Sequence, residues 1–245
     1  MSATIDTLGQ KHILIIASNP STSPVTGWPI GMWLAELAHP YWEFVEHGYQ
    51  VTIASPDGGQ LELDGWSDPH HESGYSKDDL ISAGFLAMPQ TKALIEDTPS
   101  VYDLNADDFD AIFLVGGQAP MVTFYNDSKL QQFVAEFYES GKVTAVVCHA
   151  TSMLLKTTLS DSTLLVKGKT WTGFANSEEQ FADDFVGQRL QPFWIEEEAK
   201  KLPDTNFIVG GRFRAHAVRD GHLITGQQQY SGAAAANLVI EALGQ

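Results

Sequence analysis

The chain has 245 residues, of which 14 are Lys or Arg and 31 are Asp or Glu, so its formal net charge is −17. This length suits one large α/β domain, and a hydrophobic content of 43% is typical of a globular protein and not of a disordered one. The negative charge would repel nucleic-acid phosphates and anionic lipids. We therefore expect neither a nucleic-acid partner nor a membrane-surface partner.

In chain order, residues 12–17 form a short apolar run, which is typical of a strand buried on both faces of a parallel sheet. A loop rich in Ser, Thr and Pro covers residues 18–29. The apolar spacing over residues 31–48 then predicts a helix with an interruption at Pro40. Residues 51–54 predict a second strand.

Residues 55–108 carry several Pro and Gly residues and predict short helices and loops, with a flap over a site as one interpretation. Beyond them, the pattern predicts three strands, at 111–115, 143–148 and 169–172. It predicts helices over 130–138, from His149 to 155, from a cap at Asn176 onward, over 193–202 and over 231–243. It also predicts a hairpin in which 215–218 pairs with 222–225. Strands that alternate with helices predict an α/β fold with a mostly parallel central sheet.

The sequence contains a single cysteine, Cys148, which excludes an intramolecular disulfide and a thiolate-rich metal centre. Residues 1–11 lack the basic and apolar segments of a signal peptide, and no apolar run reaches the roughly 20 residues that a membrane-spanning helix needs. We therefore expect a cytosolic protein with a reduced thiol. Cys148 is then either inert core filling or a nucleophile.

The position of Cys148 favours the second interpretation, because it ends a buried strand and opens a helix without a loop between them. Such a corner, a nucleophile elbow, places a side chain at the carboxyl edge of the sheet, where α/β proteins bind ligands. The helix N-terminus is expected to lower the pKa of the thiol. His149 can swing over the same cleft, and the N–H groups of Gly116 and Gly117 can face an oxyanion.

Several segments together resemble the PfpI (DJ-one) family of the class I glutamine amidotransferase-like superfamily. They are Ala-Val-Val-Cys-His-Ala at 145–150, Leu-Val-Gly-Gly at 114–117, Thr-Gly at 26–27 with Trp-Leu-Ala-Glu-Leu-Ala-His-Pro-Tyr at 33–41, Thr-Gly-Phe at 172–174, and Asp-Gly-His-Leu-Ile-Thr-Gly-Gln at 220–227. The spacing is most similar to a branch of stress-inducible chaperones with glutathione-independent glyoxalase (glyoxalase III) activity.

This resemblance implies a flavodoxin-like three-layer sandwich that forms one domain over residues 1–245, with a flap within 55–108. It implies that Cys148 is the nucleophile, His149 its partner, and Glu179 the group that orients the imidazole. Glu36 would contact the sulfur as a proton donor or acceptor, for which its pKa must be raised. The backbone of Gly116, Gly117 and His149 would stabilise an oxyanion. No metal or cofactor is implied, and relatives commonly pair as homodimers.

Three features stand beside the resemblance. Glu178 is a rival for Glu179 that spacing alone rejects. Gln118 replaces the His that the branch often carries after Gly-Gly, and a neutral amide cannot transfer protons, so the substrate preference is open. The cluster of Asp68, His70, His71 and Glu72 has side chains that can bind a metal, but its spacing fits a solvated loop better.

We expect the protein to be a cysteine-dependent enzyme, a hydro-lyase of the D-lactate dehydratase type, that acts on a small-molecule aldehyde substrate. The resemblance implies that it converts methylglyoxal to D-lactate without glutathione. Two alternatives remain open. One is a stress-related holdase chaperone or thiol redox sensor, because an accessible thiol of low pKa oxidises readily. The other is an amidase or peptidase that uses the same Cys148 and His149 pair.

Overall fold

Ten β-strands and eight α-helices are present among residues 10–244, which are the residues that the computed structural model describes. The segment for which we predicted no signal peptide lies mostly outside the described residues. The strands are β1 (His12–Ile16), β2 (Ser21–Thr22), β3 (Pro29–Ile30), β4 (Gln50–Ala54), β5 (Ala111–Leu114), β6 (Val143–Val147), β7 (Thr170–Trp171), β8 (Asn206–Phe207), β9 (Ala217–Asp220) and β10 (Leu223–Gly226).

In the described part of the chain, eight α-helices accompany these strands. They are α1 (Leu34–Glu46), α2 (Leu80–Ala87), α3 (Pro89–Lys92), α4 (Thr123–Asn126), α5 (Ser128–Glu139), α6 (Asn176–Val186), α7 (Ile195–Ala199) and α8 (Gly232–Ala242). Four short 3-10 helices accompany α2 and α3 between residues 55 and 108, as the frequent Pro and Gly residues predict. None of the helices in residues 10–244 is long and apolar enough to cross a bilayer.

Six strands form the main sheet in the order β4-β1-β5-β6-β10-β9. All neighbours are parallel except β9, which pairs antiparallel with β10 in the predicted Asp-Gly hairpin. Every residue of β5 and β6 is buried, although successive side chains of a strand point to opposite faces. Both faces are therefore covered, and the prediction of an α/β fold with a mostly parallel central sheet is confirmed.

The predicted interruption of the first helix is wrong, because α1 continues through Pro40. A β-carbon added at Gly232 would lie 3.2 Å from ring atoms of Pro40, so the proline ring packs closely against the start of α8. A proline ring ordinarily disfavours the interior of a helix, and here the packing of that ring against α8 helps to offset this cost. The small β2–β3 hairpin also replaces part of the loop predicted over residues 18–29.

Three further elements differ from their predictions. The strand predicted at 169–172 is present as β7, but it pairs only with β8 and lies outside the main sheet. Asn176 is predicted to cap α6, but the cap is Ala175 and Asn176 is the first residue of the helix. The backbone N–H of Asn176 donates to Glu196 Oε2 at 2.7 Å. The helix predicted over 193–202 is reduced to the five residues of α7.

The site is positioned by the carboxyl ends of β5 and β6, which are parallel neighbours. Val115 leads from β5 into Gly116 and Gly117, and Cys148 follows β6 directly. These residues therefore meet at the edge of the sheet where open α/β folds bind ligands.

Candidate active site

Cys148 occupies a strained corner between β6 and the next helix. Its φ is 55°, in the left-handed region that non-glycine residues rarely adopt, and it begins a 3-10 helix, Cys148–Leu155. The predicted elbow is present, but the helix after it is 3-10 and not α. Holding such a residue costs on the order of 1 kcal/mol or more, and strain of this kind concentrates at functional sites.

Glu36 reaches the cysteine from the first turn of α1. Its carboxyl lies beside the Cys148 side chain, its Oε2 accepts the N–H of Gly116 at 2.8 Å, and its buried Oε1 has no hydrogen-bond partner among the described residues. A β-carbon at position 116 would lie 2.5 Å from that oxygen and 2.6 Å from Cys148 Cβ, so only glycine fits between them. The prediction that the Gly116 N–H faces an oxyanion is wrong, since Glu36 occupies this donor.

The backbone N–H groups of Gly117 and His149 remain, and both lower the pKa of the Cys148 thiol. Gly117 has a φ of 113°, and an added β-carbon would lie 2.5 Å from the backbone nitrogen of Trp33. The close approach of the segment before α1 therefore holds the Gly117 amide in place. Two backbone N–H groups, in place of the predicted three, are therefore left to stabilise negative charge at this corner.

His149 connects the cysteine to a second buried acid. Its Nδ1 lies 3.6 Å from Cys148 Sγ, and its Nε2 lies 3.0 Å from Glu179 Oε1 on α6. The ring of Phe174 stacks on the imidazole with 4.1 Å between centroids. The imidazole is thus fixed both in its plane and along its hydrogen-bonding axis.

Glu178, the rival of Glu179, points elsewhere. Its Oε1 accepts the backbone N–H of Phe213 at 2.9 Å and the side-chain amide of Gln227 at 2.8 Å, while Oε2 accepts the N–H of Ala175 at 3.0 Å. Its carboxyl is therefore fully engaged away from the imidazole. Of the two neighbours, the structure brings Glu179 to His149.

The electrostatics of the sulfur differ from the sequence prediction. Burial raises the pKa of Glu36 to about 7, against its hydrogen bonds with Cys148 and Gly116. Burial, followed by the charge of Glu36, also raises the pKa of the Cys148 thiol, and the two backbone donors offset only part of this. The expected lowering by a helix N-terminus is wrong, because Cys148 is only 3% exposed and its desolvation dominates.

The pKa of His149 is raised, whereas burial of an imidazole without charged neighbours lowers its pKa. Burial alone would lower its pKa, but the Glu179 carboxylate, and beyond it Glu36 and Asp64, raise the pKa above its usual value. The site therefore gathers several ionisable groups whose titrations are coupled. Such an arrangement can move a proton between the sulfur, a carboxylate and a bound substrate.

Asp64 is a site residue that the sequence analysis missed. It is almost completely buried, and its carboxylate accepts the N–H of Gly31 at 2.9 Å and the N–H of Gln118 at 2.6 Å. Burial raises its pKa to about 7, against these two hydrogen bonds. It thus ties the segment before α1 to the Gly117–Gln118 turn. A lone Asp in an irregular loop carries no sequence signal for this role.

A cleft opens above the sulfur. Cys148 and His149 lie at its floor beside Glu179, and the side-chain amide of Gln118 lines it where the branch often has a histidine. The loop of the metal-capable cluster is a separate feature, in which His70 Nδ1 lies 3.3 Å from Asp68 Oδ1 on an exposed surface. Within residues 10–244, no three His, Cys, Asp or Glu side chains gather closely enough to hold a metal ion.

The fold and this corner together define an α/β protein of the cysteine nucleophile-elbow class. The chain belongs to the DJ-1/PfpI family, whose model matches residues 30–242.

Two curated relatives match nearly the whole chain. It is 26% identical to "Glyoxalase 3" of Candida albicans over 95% of this chain and 98% of the relative, and 26% identical to "Glutathione-independent glyoxalase HSP31" of Saccharomyces cerevisiae over 96% and 98%. Among solved structures, the Rapid Encystment Protein of Francisella tularensis superposes with a TM-score of 0.84 at 23% identity, covering 96% of this chain and 100% of that one. This likeness supports the fold.

Proposed function

We propose that the chain is a glutathione-independent glyoxalase of the hydro-lyase type, which converts a 2-oxoaldehyde such as methylglyoxal to D-lactate. Two relatives that match nearly the whole chain are named as glyoxalases, one of them as glutathione-independent. The observation that carries the proposal is the contact between the Cys148 thiol and the fully buried carboxyl of Glu36, whose pKa of about 7 suits proton transfer near neutral pH.

The first step is addition of the Cys148 thiol across the aldehyde carbonyl. The S–H proton passes to Glu36 or His149, the sulfur bonds to the aldehyde carbon, and the carbonyl oxygen takes up a proton to give a hemithioacetal. The N–H groups of Gly117 and His149 already favour negative charge on the sulfur, because both lower the pKa of the thiol. They are therefore placed to stabilise negative charge on the adjacent oxygen during the addition.

The second step moves a hydrogen between adjacent carbons. A base, Glu36 or His149, removes the proton from the former aldehyde carbon to give an enediolate, and a proton returns to the neighbouring carbon. The aldehyde carbon is thereby oxidised to a thioester and the ketone carbon is reduced to an alcohol. Water then cleaves the thioester, which releases the hydroxy acid and restores the thiol. The overall reaction is therefore the addition of one water to the 2-oxoaldehyde to give the 2-hydroxy acid.

His149 is suited to activate this water. Its imidazole is held by Glu179 at 3.0 Å and by the ring of Phe174, and the neighbouring carboxylate stabilises the imidazolium that forms when the ring takes a proton. Glu179 is in this proposal a positioning residue, because it acts through His149 and touches no substrate.

The test is incubation of the purified chain with methylglyoxal and no thiol cofactor, followed by a D-lactate-specific assay. D-lactate should accumulate with the wild-type chain and not with Cys148→Ala, whose fold is checked by circular dichroism. Absence of product above this control contradicts the proposal. Holdase activity in both proteins together with no D-lactate would favour the chaperone alternative instead.

The proposal extends to the organisation of the chain. We assign it one domain, in which residues 55–108 act as a cap because they supply Trp66 and Tyr75 to the cleft. We place the protein in the cytosol, since a free catalytic thiol needs a reducing compartment. We also propose that it forms a homodimer, which sedimentation analysis tests directly.

A further inference from the structure

The cleft above Cys148 is bounded by aromatic rings that contact one another in a continuous series. The centroid distances are 5.9 Å for Trp33–Tyr75, 6.0 Å for Tyr75–Trp66, 5.4 Å for Trp66–Phe185, 6.3 Å for Phe185–Phe181 and 5.2 Å for Phe181–Phe213. All six side chains line the cleft, and we call them the aromatic wall.

The aromatic wall is assembled from distant parts of the chain. Trp33 precedes α1, Trp66 and Tyr75 belong to the cap segment, Phe181 and Phe185 lie on α6, and Phe213 belongs to the loop before β9. Local packing does not require these segments to place their rings around one opening. Their convergence beside the cysteine is instead what an apolar ligand site needs.

Several of these rings remain open to solvent at a concave surface. Phe185 is 65% exposed, and Phe181 and Tyr75 are each 37% exposed. Covering apolar surface of this kind with a ligand is favourable, because it removes the surface from water. An aromatic ligand adds edge and face contacts with the rings to this stabilisation. A methyl substituent offers no ring for such contacts, whereas an aryl substituent does.

The polar groups in the cleft are mostly neutral. Three side-chain amides line it, those of Gln118, Gln191 and Gln229, together with the acid Glu179. Among residues 10–244, no Lys or Arg lines the cleft, and the whole chain carries a formal charge of −17. The Arg212 guanidinium lies 5.1 Å from the centroid of the Phe181 ring but does not line the cleft, and the field of the protein as a whole would repel a phosphate or carboxylate group on the substrate.

We propose that the site selects uncharged 2-oxoaldehydes with an aromatic substituent on the ketone carbon, and that this substituent packs against the aromatic wall while the aldehyde carbon meets Cys148. This inference rests on the proposed glyoxalase function and names its substrate class. The chemistry stays balanced: an aryl 2-oxoaldehyde plus water gives the aryl 2-hydroxy acid, with the aldehyde carbon oxidised and the ketone carbon reduced.

The first test compares phenylglyoxal with methylglyoxal by kcat/KM. The double variant Phe181→Leu/Phe185→Leu removes two exposed rings but keeps apolar side chains that α6 tolerates. We expect the ratio of kcat/KM for phenylglyoxal over methylglyoxal to fall about tenfold in this variant, as loss of aromatic contacts predicts. Phe133→Leu is the matched control, because Phe133 lies on α5 in a separate groove and should leave the ratio at its wild-type value.

The second test measures binding without turnover. Cys148→Ser is titrated with 2-hydroxyacetophenone or with hydroxyacetone, its methyl counterpart, and tryptophan fluorescence is followed. Trp33 and Trp66 lie in the wall, so Trp66→Phe in the same background identifies the signal. We expect the aryl ligand to bind about tenfold or more tightly than hydroxyacetone, and this preference to fall in the Phe181→Leu/Phe185→Leu background.

The outcomes separate the two proposals. D-lactate formation with an unchanged substrate ratio in the double variant, and equal binding of the two ligands, overturns the aromatic selectivity and leaves the glyoxalase function standing. Preferred binding of the aryl ligand without turnover of either aldehyde supports the aromatic site and overturns the glyoxalase function.

Discussion

The inner corner of the cleft and its aromatic wall are built in opposite ways. In the inner corner, Cys148, Glu36, His149 and Glu179 are each buried, and each has at least one partner within hydrogen-bonding distance. In the wall, rings such as Phe185 are exposed and contact neighbours through faces and edges. The corner is therefore a polar network in a dry setting, and the wall is an apolar surface in contact with water.

This difference separates chemistry from selectivity. A buried polar network fails as a unit, because removing one member leaves its partners unsatisfied and desolvated. Ring contacts are individually weak and add up gradually. Changes in the corner should therefore lower turnover of every substrate, whereas changes in the wall should alter the ratio between substrates.

The largest effect is expected for Glu36→Gln. We expect kcat/KM for methylglyoxal to fall about a thousandfold, because an amide cannot carry the proton between sulfur and carbon. The thiol should at the same time react at lower pH, since the charge of Glu36 raises the pKa of Cys148 and the variant removes it. The rate of iodoacetamide alkylation as a function of pH measures this shift.

Glu46→Gln is the control for this variant, because Glu46 is exposed on the same helix. It should keep both the turnover and the alkylation profile. Alkylation of Glu36→Gln that moves to higher pH would show instead that Glu36 acts mainly as a donor that stabilises the thiolate.

The next largest effect is expected for Glu179→Gln. Turnover should fall about a hundredfold, because the imidazole loses the carboxylate that orients it and favours its protonated form. The pKa of His149 should fall, since Glu179 is the main group that raises it. NMR titration of the imidazole signals measures the direction. Glu178→Gln is the neighbouring control and should move this pKa much less; equal shifts in the two variants would contradict the assignment.

Asp64→Asn tests the acid that ties two segments behind the corner. Its pKa is raised from 3.8 to about 7 in the folded protein, so the folded state favours the protonated carboxyl. The contribution of Asp64 to the free energy of unfolding is therefore fully present below pH 4 and is lost as the pH rises through 7. Asn does not titrate. Between pH 5 and 8, the wild type should therefore lose about 3 kcal/mol in free energy of unfolding relative to the variant.

Urea unfolding of both proteins at the two pH values measures this difference. Asp161→Asn is the control, because Asp161 is exposed and hydrogen bonds from Thr163 lower its pKa, so it does not titrate in this range. A difference between wild type and Asp64→Asn that stays constant from pH 5 to 8 contradicts a raised pKa for Asp64.

The sequence predicted the inner corner better than its surroundings. The β-branched run before Cys148 and the absence of a loop after it fix the elbow locally, so this corner could be read from adjacent residues. The residues that meet Cys148 from other elements, Glu36 and Glu179, were named only through a family resemblance. The structure brings both of them to the corner.

What the sequence did not predict depends on contacts between distant segments. Gly116 lost its expected role because its N–H faces Glu36, 80 residues earlier in the chain. The raised pKa of Cys148 follows from complete burial, which no local pattern reports. Asp64 and the aromatic wall escaped notice for the same reason, since their residues become neighbours only after the loops have folded over the sheet edge.

The smallest effect is expected where the corner meets the wall, at Glu178. Its Oε1 accepts the N–H of Phe213, a wall residue held at a φ of 51°. In Glu178→Gln, one hydrogen bond of about 1 kcal/mol is weakened and the Phe213 loop loosens. We expect KM for phenylglyoxal to rise about threefold to fivefold while kcat stays near the wild-type value.

Steady-state kinetics with phenylglyoxal separate the two parameters, and Glu198→Gln serves as the control because Glu198 pairs with Lys201 at the surface. A rise in KM alone places Glu178 with the aromatic wall, although it is as deeply buried as the corner residues. A fall in kcat with an unchanged KM would instead make Glu178 part of the proton network, and the division between chemistry and selectivity would then no longer follow the border between corner and wall.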